Sequence, residues 1–144
     1  HVDAFIDNEY IQNGGQKIDM YQRLAVVSSK EELDELRREL EDRYGRPSSY
    51  VEKLLQVTET RLEAKAQGMV LIAQKKDVLE IKWRRVSDMP DLTKLEKPLR
   101  SRFRLVPSIP VMVRVSLSGI ADILDFIRTL LTAFSSLRKE DSRD

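Results

Sequence analysis

Four carboxylates fall on one narrow sector of a predicted helix in the first third of the sequence. Glu31, Glu35, Glu39 and Asp42 point the same way at about 100° per residue. Like charges spaced four residues apart cost a few tenths of a kcal/mol per pair. A helix retains such a stripe either because it is simply solvated, which general physics favours, or because a basic partner docks on it. No pair of carboxylates is set in an apolar stretch, as acid–base catalysis would require.

Other arrangements that carry chemistry are absent from the sequence. There is no P-loop, no G-x-G-x-x-G and no G-x-S-x-G motif. The sequence has no cysteine and its one histidine is His1, which excludes metal sites built on those residues and any disulfide framework. We therefore predict that this chain is not an enzyme and holds no metal or cofactor.

Basic residues concentrate in the second half of the chain. Residues 75–104 contain ten lysines and arginines against five acidic residues. This bias indicates either a solvated, basic sheet edge, which we favour, or a surface that binds phosphates. Trp83 lies beside Arg84 and Arg85, as in a base-stacking platform, but it also alternates with Leu79 and Ile81 as a core strand residue would. The net charge of +1 gives no overall attraction to nucleic acid or membrane.

The sequence contains signals for the beginning, the core face and the end of the acidic helix. Ser29 and Glu32 form a predicted capping box, while Gly45 and Pro47 end the helix. The spacing predicts a helix over residues 30–44 whose apolar stripe comprises Leu33, Leu36, Leu40 and Tyr44.

The remaining patterns place helices before strands. We predict an extended lead-in over residues 1–15 that ends in an Asn-Gly-Gly turn, helices over 16–68, mostly strands over 69–117, and a C-terminal helix over 119–138. Three helices, a small antiparallel sheet with a short helix, and a long C-terminal helix make a single α+β domain.

Several local details complete this prediction. The first helix is expected to bury Ile18, Tyr21, Leu24 and Ala25. Ser49 is expected to cap the third helix, in a capping box with Glu52. A short helix is expected between Pro90 and Pro98, because the residue before a proline avoids helical angles.

The location of the chain is constrained by what the sequence lacks. No apolar run approaches the length of a membrane span, and no signal-peptide pattern is present. The absence of cysteine suits a reducing compartment, so we expect a cytoplasmic protein with no membrane partner. The chain begins without methionine, which we interpret as the edge of a fragment of a larger protein.

Four stretches of the sequence resemble one family closely. They are DAFIDNEYI from residue 3, YQRLA from residue 21, EELDELRRELEDRYGRP from residue 31 and LLQVTETRLEAKAQG from residue 54. The chain resembles the C-terminal (TRCF) domain of the bacterial transcription-repair coupling factors, the Mfd family. The resemblance is specific over about residues 2–72, and beyond that it rests on element order up to residue 137. Asp7-Asn8 departs from the proline-acid turn usual in the family.

The resemblance implies a regulatory role in transcription-coupled nucleotide excision repair. The family's full-length proteins are ATP-driven translocases on double-stranded DNA, which displace stalled RNA polymerase and recruit UvrA. Their ATP- and Mg-binding motor lies outside this domain. The C-terminal domain is implied to dock on an N-terminal UvrB-like module, masking UvrA binding and restraining the translocase. The family's E-L-x-D-R motif corresponds to Glu39, Asp42 and Arg43, and Glu35 extends the same face.

Two alternatives remain open at this point. The chain could be a nucleic-acid-binding module that uses residues 75–104, or a purely structural terminal domain.

Overall fold

The computed structural model describes residues 3–141, with side chains through Lys139. Helices come first, followed by a four-stranded antiparallel sheet and a last helix, which confirms the predicted α+β class. The elements are α1 (Gly14–Val26), α2 (Lys30–Tyr44), α3 (Ser49–Ala66), β1 (Met69–Lys75), β2 (Val78–Trp83), α4 (Lys97–Arg100), β3 (Phe103–Val106), β4 (Met112–Ser116) and α5 (Ile123–Asp141). The chain divides into two compact units at Leu62 and Glu63. The single domain stays a prediction.

The first unit packs its helices around one hydrophobic cluster. Helix α2 has the predicted bounds, and its leucine stripe is buried. Helix α1 begins two residues earlier than predicted, because the side chain of Asn13 caps it by accepting a hydrogen bond from the Gln16 N–H at 2.9 Å. The cluster comprises Ile6, Ile11, Met20, Leu24, Val27, Leu33, Leu36, Leu40, Val51 and Leu55.

The predicted core face of α1 was wrong in part. Leu24 is buried as expected, but the other three are not: Ile18 is 61% exposed, Tyr21 is 38% exposed and Ala25 is exposed as well. The helix instead buries Met20 and Leu24, and Val27 just after it is also buried. These three residues form a second stripe at spacings of four and three, and that stripe faces the core.

The caps of α2 and α3 are shifted by one residue from their predicted partners. Ser29 accepts from the Glu32 N–H at 3.1 Å as expected, but the Glu32 carboxylate bonds to the backbone and hydroxyl of Ser28. Ser48, not Ser49, caps α3 by accepting from the Val51 N–H at 3.2 Å. The predicted reciprocal boxes are therefore wrong: Ser29 caps α2 as expected, but the cap of α3 lies one residue earlier than predicted.

The second unit is an antiparallel sheet with the strand order β1-β2-β4-β3. Trp83 has no exposed surface, and its ring meets Phe134 of α5 edge-on, with centroids 6.0 Å apart. This confirms Trp83 as a core residue and removes it as a stacking platform. The cluster around it includes Leu79, Ile81, Val113, Val115, Phe126, Leu130, Leu131 and Leu137.

Two predicted helices of this unit have different limits. Between Pro90 and Pro98 there is only a 3-10 turn, Leu92–Lys94, while Pro98 lies in the first turn of α4. Proline is tolerated there because the first-turn N–H has no helical partner. Helix α5 begins at Ile123 because Asp122 accepts from the Asp125 N–H at 3.0 Å. Gly119, at a φ of 78°, belongs to the preceding turn.

Gly68 makes a close approach that requires glycine, between α3 and β1. Its φ is 82°, and a Cβ atom there would lie 2.7 Å from the Asp88 side chain. No helix among residues 3–141 is long and apolar enough to cross a membrane.

Candidate functional site

The predicted interface residues lie along one surface of α2, in three different environments. Glu35 and Asp42 are exposed, as the helical spacing predicted. Arg43 is also exposed, and its guanidinium lies over the Tyr44 ring, 5.0 Å from the centroid. Glu39 is only half exposed. Of the three predicted interface carboxylates, Glu35 and Asp42 are therefore unengaged, and Glu39 between them is partly neutralised.

Glu39 is held by two arginines of the same unit. Arg23 of α1 forms a bidentate pair with it, in which Nη2 donates to Oε1 at 2.9 Å and Nη1 donates to Oε2. Arg43 adds a contact from Nη1 to Oε2 at 3.3 Å. The hydrogen bonds from Arg23, then its charge, hold the pKa of Glu39 below its usual value. The helical spacing placed Glu39 on the exposed sector of α2, but in the structure it is only half exposed, because Arg23 reaches it from a neighbouring helix.

The carboxyl end of α2 is fixed by two tyrosines. The Tyr10 hydroxyl donates to the carbonyl oxygens of Gly45 at 2.8 Å and Leu40 at 3.2 Å. The Gly45 carbonyl lies just past the helix and has no intrahelical partner, so the bond from Tyr10 satisfies it. The Tyr44 hydroxyl bonds to Gln16 Oε1 of α1 at 3.0 Å. The segment that carries Asp42 and Arg43 is thus presented by a rigid helix end.

A second bidentate pair joins α2 to α3. Arg37 donates to both carboxylate oxygens of Glu52 at 2.8 Å. The hydrogen bonds from Arg37 lower the pKa of Glu52 and raise that of Arg37. Sequence reasoning missed this pair and the one between Arg23 and Glu39, since the partners are 15 and 16 residues apart in the chain.

The Arg37–Glu52 pair makes a pH-dependent contribution to stability. Because the folded-state pKa of Glu52 is depressed, its contribution is complete above the unfolded-state value of 4.5 and is lost as pH falls through the folded-state pKa. We expect E52Q to lower the free energy of unfolding by about 1 kcal/mol or less at pH 7, since the pair is partly exposed. Near pH 3 the difference from the unsubstituted chain should shrink.

Urea unfolding followed by circular dichroism at both pH values measures this effect. E35Q is the matched control, because Glu35 forms no ion pair with any residue the structure describes. An E52Q effect of equal size at pH 7 and pH 3 would contradict the assigned role of the pair.

Several of the basic residues between positions 75 and 104 form ion pairs or hydrogen bonds with other groups of their own unit. Lys75 bonds to Glu80 at 3.1 Å, and Arg85 bonds to Asp88 at 3.3 Å. Arg100 and Arg102 donate to backbone carbonyl oxygens of their own unit. With Trp83 buried as well, this region forms no continuous array of free cations and stacking rings. Part of its positive charge is therefore used in contacts that stabilise the fold.

The described residues contain no group of three or more histidine, cysteine, aspartate or glutamate side chains placed to hold a metal ion. The arrangement on α2 is suited to binding through ion pairs, with Glu35 and Asp42 among the free acceptors. Arg43 can contribute a donor beside them.

A fold of this kind, with an acidic helix presented by its neighbours, has known counterparts. The model of the TRCF domain family matches residues 1–93, more than half of the chain, and the chain belongs to that family. Its relatives include the transcription-repair-coupling factor of Bacillus subtilis, 42% identical over 80 residues, which are 56% of this chain and 7% of the relative. That of Haemophilus influenzae is 38% identical over 71 residues, 49% of this chain and 6% of the relative.

A solved structure supports the fold over the whole chain. It is the crystal structure of the C-terminal domain of a transcription-repair coupling factor, and it superposes with a TM-score of 0.70. The match covers 100% of this chain and 92% of that chain at 17% sequence identity, so it speaks for the fold alone. The chain spans only 7% of the length of the Bacillus subtilis relative. Membership in the family associates this domain with DNA repair coupled to transcription.

Proposed function

We propose that this chain is a non-catalytic regulatory domain of a transcription-repair coupling factor. It docks through the acidic surface of α2 onto a basic surface of the UvrB-like module near the N-terminus of the same polypeptide. Docking covers the surface that UvrA needs and restrains the ATP-driven movement of the protein on double-stranded DNA. Engagement of RNA polymerase would accompany release. The ATP and Mg that drive the translocase belong to the motor domains of the parent protein, not to this chain.

The observation that carries the proposal is that the predicted interface carboxylates of α2 differ in their contacts within the domain. Arg23 and Arg43 hold Glu39 in place, whereas Glu35 and Asp42 are exposed and have no ion-pair partners among the described residues. Arginine is the favoured partner for such carboxylates because its guanidinium forms two parallel hydrogen bonds. A basic surface on the docking partner would complete these pairs.

The strength of this contact suits reversible regulation. Exposed ion pairs contribute on the order of 0.2–1 kcal/mol each, which is weak for binding between separate molecules. A covalent tether raises the effective concentration to about the mM range, so a few such pairs are enough to keep the domain docked. The same weakness allows a competing partner to release it.

Deletion of this domain from the complete coupling factor separates regulation from a structural role. If the domain masks UvrA binding, the truncated protein should bind UvrA more tightly and hydrolyse ATP faster in the absence of RNA polymerase. Titration with labelled UvrA and a steady-state ATPase assay measure both quantities. A purely structural domain would leave both unchanged or lower, and would reduce the thermal midpoint of the remaining protein.

A further inference from the structure

The two edge strands of the sheet differ in how they meet solvent. Strand β1 has an irregular register between Met69 and Leu71, and it ends at Lys75, which is followed by Lys76 in the turn. Bulges and lysines are common protection against pairing with another chain. Strand β3 pairs with β4 at each of its four positions and contains neither proline nor glycine. β3 is therefore the edge that another strand can extend.

The hydrogen bonds of β3 determine which backbone groups face outward. The Ser116 N–H donates to the Arg102 carbonyl at 2.9 Å, so these two residues form a hydrogen-bonded pair of the antiparallel ladder. Such pairs alternate along the ladder, so Arg104 is also a hydrogen-bonded residue. The backbone N–H and C=O groups of Phe103 and Leu105 therefore point away from β4, toward the open edge of the sheet. Outside the sheet ladder, no described residue hydrogen-bonds to the N–H or C=O groups of Phe103 and Leu105. The Leu105 side chain is 59% exposed, so this edge is accessible.

The charges beside this edge favour an acidic occupant. Arg104 lies directly opposite Arg114 of β4, an unfavourable arrangement for like charges. Arg114 is compensated by Glu80, with Nε donating to Oε2 at 3.1 Å. Arg104 is exposed and has no ion-pair partner among residues 3–139. A carboxylate on an added strand would compensate Arg104, because side chains at the same level of adjacent strands lie side by side on one face.

We propose that the edge of β3 binds a short, extended, acidic segment of a partner protein by strand addition. The backbone of the segment would hydrogen-bond to Phe103 and Leu105, and a glutamate or aspartate would pair with Arg104. Main-chain bonds supply the affinity in this mode and the side-chain pair supplies the specificity. The site is separate from the acidic surface of α2 and does not depend on the docking proposed above.

A peptide titration of the full 144-residue chain tests this proposal. The probe is the blocked peptide Thr-Val-Glu-Val-Thr, and the same peptide with lysine in place of glutamate is its control. In ¹⁵N-resolved NMR, the acidic peptide should shift the amide resonances of Phe103 and Leu105 and slow their hydrogen exchange. The lysine peptide should bind about tenfold more weakly or not at all, because it would face Arg104.

Two variants separate the backbone contact from the charge. L105P removes an edge N–H without breaking the ladder with β4, as edge positions tolerate proline, and should weaken acidic-peptide binding about tenfold or more. R104E should reverse the preference between the two peptides. R128E, at an exposed arginine of α5, is the control and should bind as the unsubstituted chain does.

Three results would overturn strand addition. They are equal binding of the two peptides, unchanged binding by L105P, and absence of any response at millimolar peptide. Binding of a DNA duplex that R104E abolishes and L105P leaves intact would identify a phosphate-binding surface instead. If L105P fails to fold, R104E still tests the proposal: a reversed preference between the two peptides would support it, and an unchanged preference would contradict it.

Discussion

Reversing the charges of Glu35 and Asp42, in the double variant E35K/D42K, should weaken docking to the separately expressed UvrB-like module by at least about tenfold. Each substitution replaces an attraction to a basic surface with a repulsion of similar size. Both residues are exposed and neither holds the fold through an ion pair in the described structure. The complete coupling factor carrying E35K/D42K should bind UvrA more tightly and show a raised ATPase rate. Fluorescence titration and a steady-state assay measure these effects.

The choice of residues matters, because reversal of Glu39 would be ambiguous. E39K would break the bidentate pair with Arg23 and could weaken docking by disturbing α1 and α2. The control E9K/E96K changes the net charge equally at two exposed positions outside α2, and it should leave docking intact. If E35K/D42K docked as tightly as this control, the acidic surface of α2 would not be the docking site.

Replacing Trp83 with alanine should give the largest loss of stability. Trp83 is fully buried at the centre of the cluster formed by the sheet and α5. Truncating a buried aromatic side chain costs about 3–5 kcal/mol, since the transfer free energy is lost and a cavity remains. Urea unfolding followed by far-ultraviolet circular dichroism measures the change, because the chain has no other tryptophan to report by fluorescence.

The W83F variant separates packing from hydrogen bonding. The indole Nε1 of Trp83 is buried without a hydrogen-bond partner among the described residues, so its removal breaks no hydrogen bond. W83F should therefore cost roughly 1–2 kcal/mol, from lost volume alone. A W83A variant within about 1 kcal/mol of the unsubstituted chain, or a W83F variant as unstable as W83A, would contradict this account.

Local sequence patterns predicted the structure correctly wherever the contacts that determine it join residues close together in the chain. The bounds of α2 were predicted correctly because Ser29, the leucine stripe and Gly45 act within a few residues of one another. Trp83 was assigned to the core because its alternation with Leu79 and Ile81 is a property of the strand itself. Glu35 and Asp42 were placed on an exposed surface by the same helical geometry.

Contacts between residues far apart in the chain determined the features that the local patterns did not predict. Helix α1 has two apolar stripes, and the one that contains Met20 is buried by packing with other helices. Arg23 reaches Glu39 across 16 positions, which turns a predicted interface residue into a partly structural one. The strand order β1-β2-β4-β3 likewise depends on pairing between strands that are not consecutive. Periodicity shows which residues prefer burial, but the neighbours that bury or pair them are chosen by long-range packing, which no local pattern encodes.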